Sequence, residues 1–178
     1  MLAALNKLNL AAFKFNVDIA EKMQEISQPL FKYCKINDFG YVKIFNNRMM
    51  LRVSTAKEWT KKYFENQYYN DPIFYNFENL PENSPTVKIL TNEPVREDHS
   101  PLSDHHFALY EHNIWNIFTQ YERTQDFAEV WFFAADRDAS DMTNFYFNHQ
   151  DMLKSFIQYF KERAASILIP YPDILITT

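Results

Sequence analysis

The stretch Phe39-Gly40-Tyr41-Val42-Lys43-Ile44-Phe45-Asn46-Asn47-Arg48-Met49-Met50-Leu51-Arg52-Val53 reads as a β-hairpin. Aromatic and β-branched residues fill both arms, as strands prefer. The pair Asn46-Asn47 stands where a turn needs residues that tolerate positive φ. Glycine usually fills that role, but Gly40 is the only glycine in 178 residues and it lies inside an arm. The turn is therefore assigned to asparagine.

Upstream, Ile19, Met23, Ile26 and Leu30 recur at helical spacing and predict a helix running to about Cys34, adjusted near Pro29. Met1–Phe15 reads as an amphipathic helical extension, because Lys7, Asn9 and Lys14 interrupt its apolar character. Downstream, Ser54 or Thr55 is expected to cap a helix bearing Trp59, Tyr63 and Phe64. Asp71-Pro72 opens a further short helix. Residues 79–101, rich in Pro, Asn, Ser and Glu, form a connection whose apolar segment Val87-Lys88-Ile89-Leu90 suits an edge strand. Ser103-Asp104 then caps a helix containing Phe107, Leu109 and Tyr110.

Two more strands follow, Asn113–Tyr121 and Ala128–Ala135, joined through Thr124-Gln125-Asp126. Asp138–Asp141 caps one long helix, Thr143–Ala165, with a stripe of Phe145, Met152, Leu153, Phe156, Ile157, Phe160 and Ala164. Tyr146, Tyr159 and Phe160 add bulk beside that stripe, which suits packing against a second subunit. The fold expected is of α/β class, α+β in type. It is an α/β/α sandwich around a mostly antiparallel five-stranded sheet, a PAS-like sensor fold. Its divisions are a helical extension at 1–15, a sensing domain at 16–169 and a tail or linker start at 170–178.

Composition narrows the function. One glycine excludes Gly-x-Gly-x-x-Gly and Walker-type phosphate loops. Eighteen basic against 23 acidic residues give a net charge of −5 with no basic stripe, so no nucleic-acid binding is expected. The lone Cys34 forms no intramolecular disulfide, and no apolar run approaches the about 18 residues that span a bilayer. A soluble, cytoplasmic chain with no membrane partner is expected.

His99, His105, His106 and His112 cluster with Asp98, Asp104 and Glu111. Adjacent His105 and His106 point to different sides of a helix, and no His-x-x-x-His pair occurs, so no metal is assigned. With no nucleophile elbow either, neither catalytic residues nor a cofactor is assigned. The chain reads as a binding domain, not an enzyme.

The sharpest constellation is Trp59-x-x-x-Tyr63 followed by Tyr68-Tyr69-Asn70-Asp71-Pro72. Residues four apart share a helix face. Trp and Tyr each offer a large apolar body with one hydrogen-bonding tip, and Asp adds an acceptor. Such a set suits a small, mostly apolar ligand with a polar head. The same residues also fit core aromatics beside a helix cap.

Around these residues, Leu30–Ala165 resembles the N-terminal autoinducer-binding domain of LuxR-family transcriptional regulators. The resemblance rests on the leading helix, hairpin, Trp-x-x-x-Tyr helix, Asp-Pro step, two central strands and long closing helix. It implies an acyl-homoserine-lactone-like ligand. Trp59 would meet the lactone carbonyl, Asp71 the amide nitrogen, and Tyr63 would lie along the pocket. Tyr41, Trp115 and Trp131 complete the candidate ligand-binding set.

The sequence departs from the family pattern at several points. Thr55 stands where a further Tyr is usual, a residue near Thr86 stands where another Trp is usual, and the interval from Trp59 to Asp71 is one residue shorter. Asn113 and Asn116 lie near missing family glycines. The resemblance also implies a homodimer, or a heterodimer with a LuxR-type regulator. No helix-turn-helix segment follows before Thr178, and Ile167–Pro172 would begin the linker. A ligand-independent dimerisation module that regulates such a protein is the alternative expectation.

Overall fold

Large apolar residues alternate along residues 36–45 and 127–135, and that period-2 pattern buries both faces of one sheet. The computed structural model describes residues 9–70, 79, 81–92, 94 and 101–177. The elements are α1 (Leu10–Tyr33), β1 (Ile36–Phe45), β2 (Met50–Ser54), α2 (Lys57–Glu65), β3 (Thr86–Leu90), α3 (Pro101–Glu111), β4 (Trp115–Arg123), β5 (Phe127–Ala135), α4 (Met142–Asn148) and α5 (Gln150–Arg163). Single 3₁₀ turns occupy Tyr68–Asn70 and Pro172–Ile174. The five strands lie in the order β2-β1-β5-β4-β3, and all four pairings are antiparallel. The fold is thus the expected α+β arrangement, with helices on both faces.

One face carries Phe39, Tyr41, Val53, Phe118, Trp131 and Phe133. They pack against Met23, Ile26 and Leu30 of α1 and Leu153, Phe156, Ile157 and Phe160 of α5. The other face carries Val42, Ile44, Met50, Ala128 and Val130 under Trp59, Tyr63 and Phe64 of α2 and Ala108 of α3. Helix α1 serves both cores, since Ala12 joins the second. The division expected at residue 15 falls inside this helix. Pro29 sits within it without ending it.

The tail is held to the body. Met50 and Ile176 exchange backbone hydrogen bonds of 2.9 and 2.8 Å at the outer edge of β2. The Asn9 side chain bonds Thr177 in both directions, at 2.9 and 2.8 Å. Ile176 is fully buried.

Four local expectations are corrected. In the hairpin turn the left-handed residue is Arg48 (φ 65°) rather than Asn46 or Asn47. Asn47 supports the turn instead, its Oδ1 accepting from the Met49 amide at 3.1 Å. Neither Ser54 nor Thr55 is the N-cap of α2, which is Ala56. Ser54 Oγ accepts from the Ala56 amide at 3.1 Å, and Thr55 turns back onto β1. Helix α3 begins at Pro101, so Asp104 lies in its first turn, where a carboxylate favours the helix dipole.

The long closing helix is two helices meeting at His149. The His149 ring stacks on Phe145 at 4.4 Å and its Nδ1 lies 2.7 Å from the Phe145 carbonyl, drawing the local backbone out of register. Tyr146 and Phe160 are fully buried, which removes them from the outer edge proposed for subunit contact. Asn113 and Asn116, near the missing family glycines, both adopt positive φ, at 59° and 47°. Asn tolerates that conformation better than other side chains that carry a Cβ.

Candidate functional site

Helix α2 presents Trp59 and Tyr63 from one face to the sheet, as their four-residue spacing requires. The 3₁₀ turn at Tyr68–Asn70 brings Tyr68 over them, and α3 brings His105 and His112 from the other side. The Trp59 and His105 rings stack with centroids 5.6 Å apart and planes within 5°. Tyr68 and His105 stack at 4.8 Å, and Trp59 and Tyr68 at 5.7 Å. His112 meets Trp59 edge-on at 5.4 Å, its Nδ1 lying 2.7 Å from the Ala108 carbonyl. An aromatic wall of Trp59, Tyr63, Tyr68 and His105 results. Its rings come from three segments separated by up to forty-six positions in the chain.

The sheet surface on this side is shaped by Gly40. A Cβ placed there would overlap the ring edge of Phe132, its partner across β1 and β5. Lacking one, Gly40 lets that ring lie down on the strand. Phe132 and Tyr121 on this surface are half-buried, unlike the sealed aromatics of the opposite face.

Beneath Tyr63 lies a polar seam. The Arg52 guanidinium carbon is 4.3 Å from the centre of the Tyr63 ring. Its Nη1 donates to Thr60 Oγ1 at 3.1 Å and Asn16 Oδ1 at 3.4 Å, while Asn16 Nδ2 donates to the Ala12 carbonyl at 2.9 Å. Burial lowers the pKa of Arg52, with the Tyr63 hydroxyl and Asp38 acting in the opposite direction. Asp38 accepts from the Thr55 hydroxyl and, at 2.9 Å, from the Phe39 amide. Burial pushes its carboxyl up to about 6, against the lowering effects of Thr55, Phe39, Arg52 and Ala56.

The six residues named from sequence separate into groups. Trp59 and Tyr63 lie together. Asp71 falls in 71–78, outside the described residues. Tyr41 and Trp131 lie on the opposite face of the sheet, where their rings pack 5.9 Å apart and Tyr41 meets Phe160 at 6.0 Å. There Glu129 accepts from Tyr41 at 2.6 Å and pairs with Lys161 at 2.8 Å. Burial, reinforced by Glu129, raises the Tyr41 pKa. Trp115 packs beside α3, edge-on to Tyr110 at 5.5 Å, and its Nε1 donates to the Asn92 carbonyl at 3.2 Å.

Residues that the sequence reading left out of its candidate ligand-binding set are Arg52, Thr60, Asn16, Tyr68, His105 and Phe132. Arg52 carried a visible signal: it is the one charge inside Met49-Met50-Leu51-Arg52-Val53. Among the described residues no group of His, Cys, Asp and Glu is placed to hold a metal ion. No described helix is long and apolar enough to cross a membrane.

No protein-family model matches the chain, and no curated protein matches it by sequence. Its fold does match a solved structure, that of the N-acylhomoserine lactone-dependent LuxR-family transcription factor CepR2 from Burkholderia cenocepacia. The TM-score is 0.53 at 15% identity, over 93% of this chain and 98% of that one. The likeness is one of fold.

Proposed function

We propose that this chain is a small-molecule signal-sensing domain of LuxR type. It holds an apolar, acyl-lactone-like ligand between the aromatic wall and the sheet surface around Gly40 and Phe132. The observation that carries the reading is the convergence of Trp59, Tyr63, Tyr68 and His105 over half-buried rings, in a fold similar to that of CepR2. Apolar walls with few polar tips suit a ligand with an acyl tail and a polar head. The domain binds rather than catalyses, acts in the cytoplasm without direct nucleic-acid contact, and transmits occupancy through pairing with itself or a LuxR-type regulator.

Thermal melting with N-acyl-homoserine lactones of graded chain length tests this. A ligand at a hundred times its Kd stabilises the folded state by about 2.7 kcal/mol and raises Tm by about 5–10 °C at this size. Trp59→Phe should reduce the shift while leaving the ligand-free Tm close to wild type. Absence of a shift with every ligand overturns the reading.

One observation favours a second reading, a ligand-independent dimerisation module. Thr55, at a position where the family resemblance implies a ligand-contacting Tyr, is consumed structurally. It is buried and bonded to Asp38 and to the Phe39 backbone. A stable dimer by light scattering, together with no ligand-induced shift, would select this reading.

A further inference from the structure

Arg52 stands in a strand whose five residues are all buried, and it is only 3% exposed itself. Its hydrogen-bond partners do not balance its charge. Thr60 and Asn16 are neutral acceptors, and both engage the same nitrogen, Nη1. Among the described residues no carboxylate lies within ion-pair distance, and Nε and Nη2 have no hydrogen-bond partner. Asp38 acts on it only at longer range, its carboxyl already bonded to Thr55 and Phe39. The opposite core shows the contrast, for there half-buried Glu129 has both Tyr41 and Lys161 in direct contact.

A guanidinium stays protonated in proteins, and burying a charge without a counter-ion is costly. Arg is also the side chain whose planar fork matches a carboxylate through two parallel hydrogen bonds. Here the fork lies against Tyr63, one of the wall residues, with an edge unengaged.

We propose that Arg52 receives an anionic head group, and that the ligand of this site is a fatty carboxylate rather than a neutral lactone. The inference rests on the ligand-binding reading above and specifies its chemistry. The aromatic wall takes the acyl chain, and the carboxylate supplies the direct ion-pair partner that Arg52 lacks among the described residues. Tyr63 both faces the chain and sets the plane of the guanidinium.

Calorimetry and thermal melting of the full chain with dodecanoate, methyl dodecanoate and N-dodecanoyl-homoserine lactone test the proposal. Dodecanoate should bind about 10- to 100-fold more tightly than its methyl ester, the usual worth of a hydrogen-bonded charge. Arg52→Met should abolish that preference while retaining weak binding of the ester. The acid-to-ester ratio on the wild-type chain decides the matter even where Arg52→Met fails to fold. Equal binding of acid and ester, or tighter binding of the lactone, overturns the carboxylate assignment and leaves the sensing reading intact. Binding of none of the three overturns both.

Discussion

The two faces of the sheet solve the same burial problem in opposite ways. On the face covered by α1 and α5, Phe39, Tyr41, Trp131, Phe133 and Phe160 are at most 1% exposed, and the half-buried carboxylate of Glu129 is neutralised in place. On the face covered by α2 and α3, Phe132, Tyr121 and Tyr68 stay half-buried, and Arg52 lacks a carboxylate partner among the described residues. Buried charges are ordinarily paired directly, and exceptions are found where a protein binds something. The first face stabilises the fold. The second is the face to which the sensing proposal assigns the ligand.

The strongest way to break this comparison is to remove a ring from the closed face. Phe39 touches Phe133, Phe156 and Phe160 at centroid distances of 5.2, 5.0 and 4.8 Å. Phe39→Ala should cost about 3–5 kcal/mol in urea denaturation, since such a packed cluster closes poorly around the hole. A loss below about 1 kcal/mol would show that this face is as loosely packed as the other.

A smaller effect is expected at Gly40, where the two roles meet. Gly40→Ala should cost about 1–3 kcal/mol, because the new methyl forces Phe132 off the strand. The displaced ring then presses on the cluster that holds Trp59 and Tyr63, so ligand affinity should fall with stability. Phe132→Leu in the Gly40→Ala background should recover most of the stability, and a double-mutant cycle measures the coupling. Additive effects would mean that Gly40 answers to some other constraint.

How much of this was legible in the sequence follows from what period and propensity encode. The hairpin, the strands of β4 and β5 and the Trp59-Tyr63 face could be read because each depends on neighbours within a few residues. Alternation also placed Tyr41 and Val42 on opposite faces. It did not say which face α2 would cover, and so Tyr41 and Trp131 were grouped with Trp59 across the sheet from it. Similarly, Arg52 stands out in sequence only as the one charge in its strand. Only the packing of α1 and α2 over it makes it a buried cation. The break at His149 was hidden because its cause, a ring competing for the Phe145 carbonyl, lies in side-chain geometry rather than hydrophobic spacing.

The smallest expected effect lies in the polar seam and is read through pH. Asp38 titrates at about 6 when folded, above the ordinary value near 3.8, because burial disfavours its charged form. The folded chain therefore holds this proton more tightly than the unfolded chain. The resulting stabilisation is complete below the unfolded value and is lost as pH rises through the folded one. Asp38→Asn keeps an acceptor for Thr55 and Phe39 but cannot titrate. Between pH 4 and 6.5 the wild type should therefore lose about 1–2 kcal/mol relative to Asp38→Asn, a difference that other carboxylates, common to both chains, do not affect. If the gap between the two stability curves stays constant across this range, Asp38 is ionised throughout.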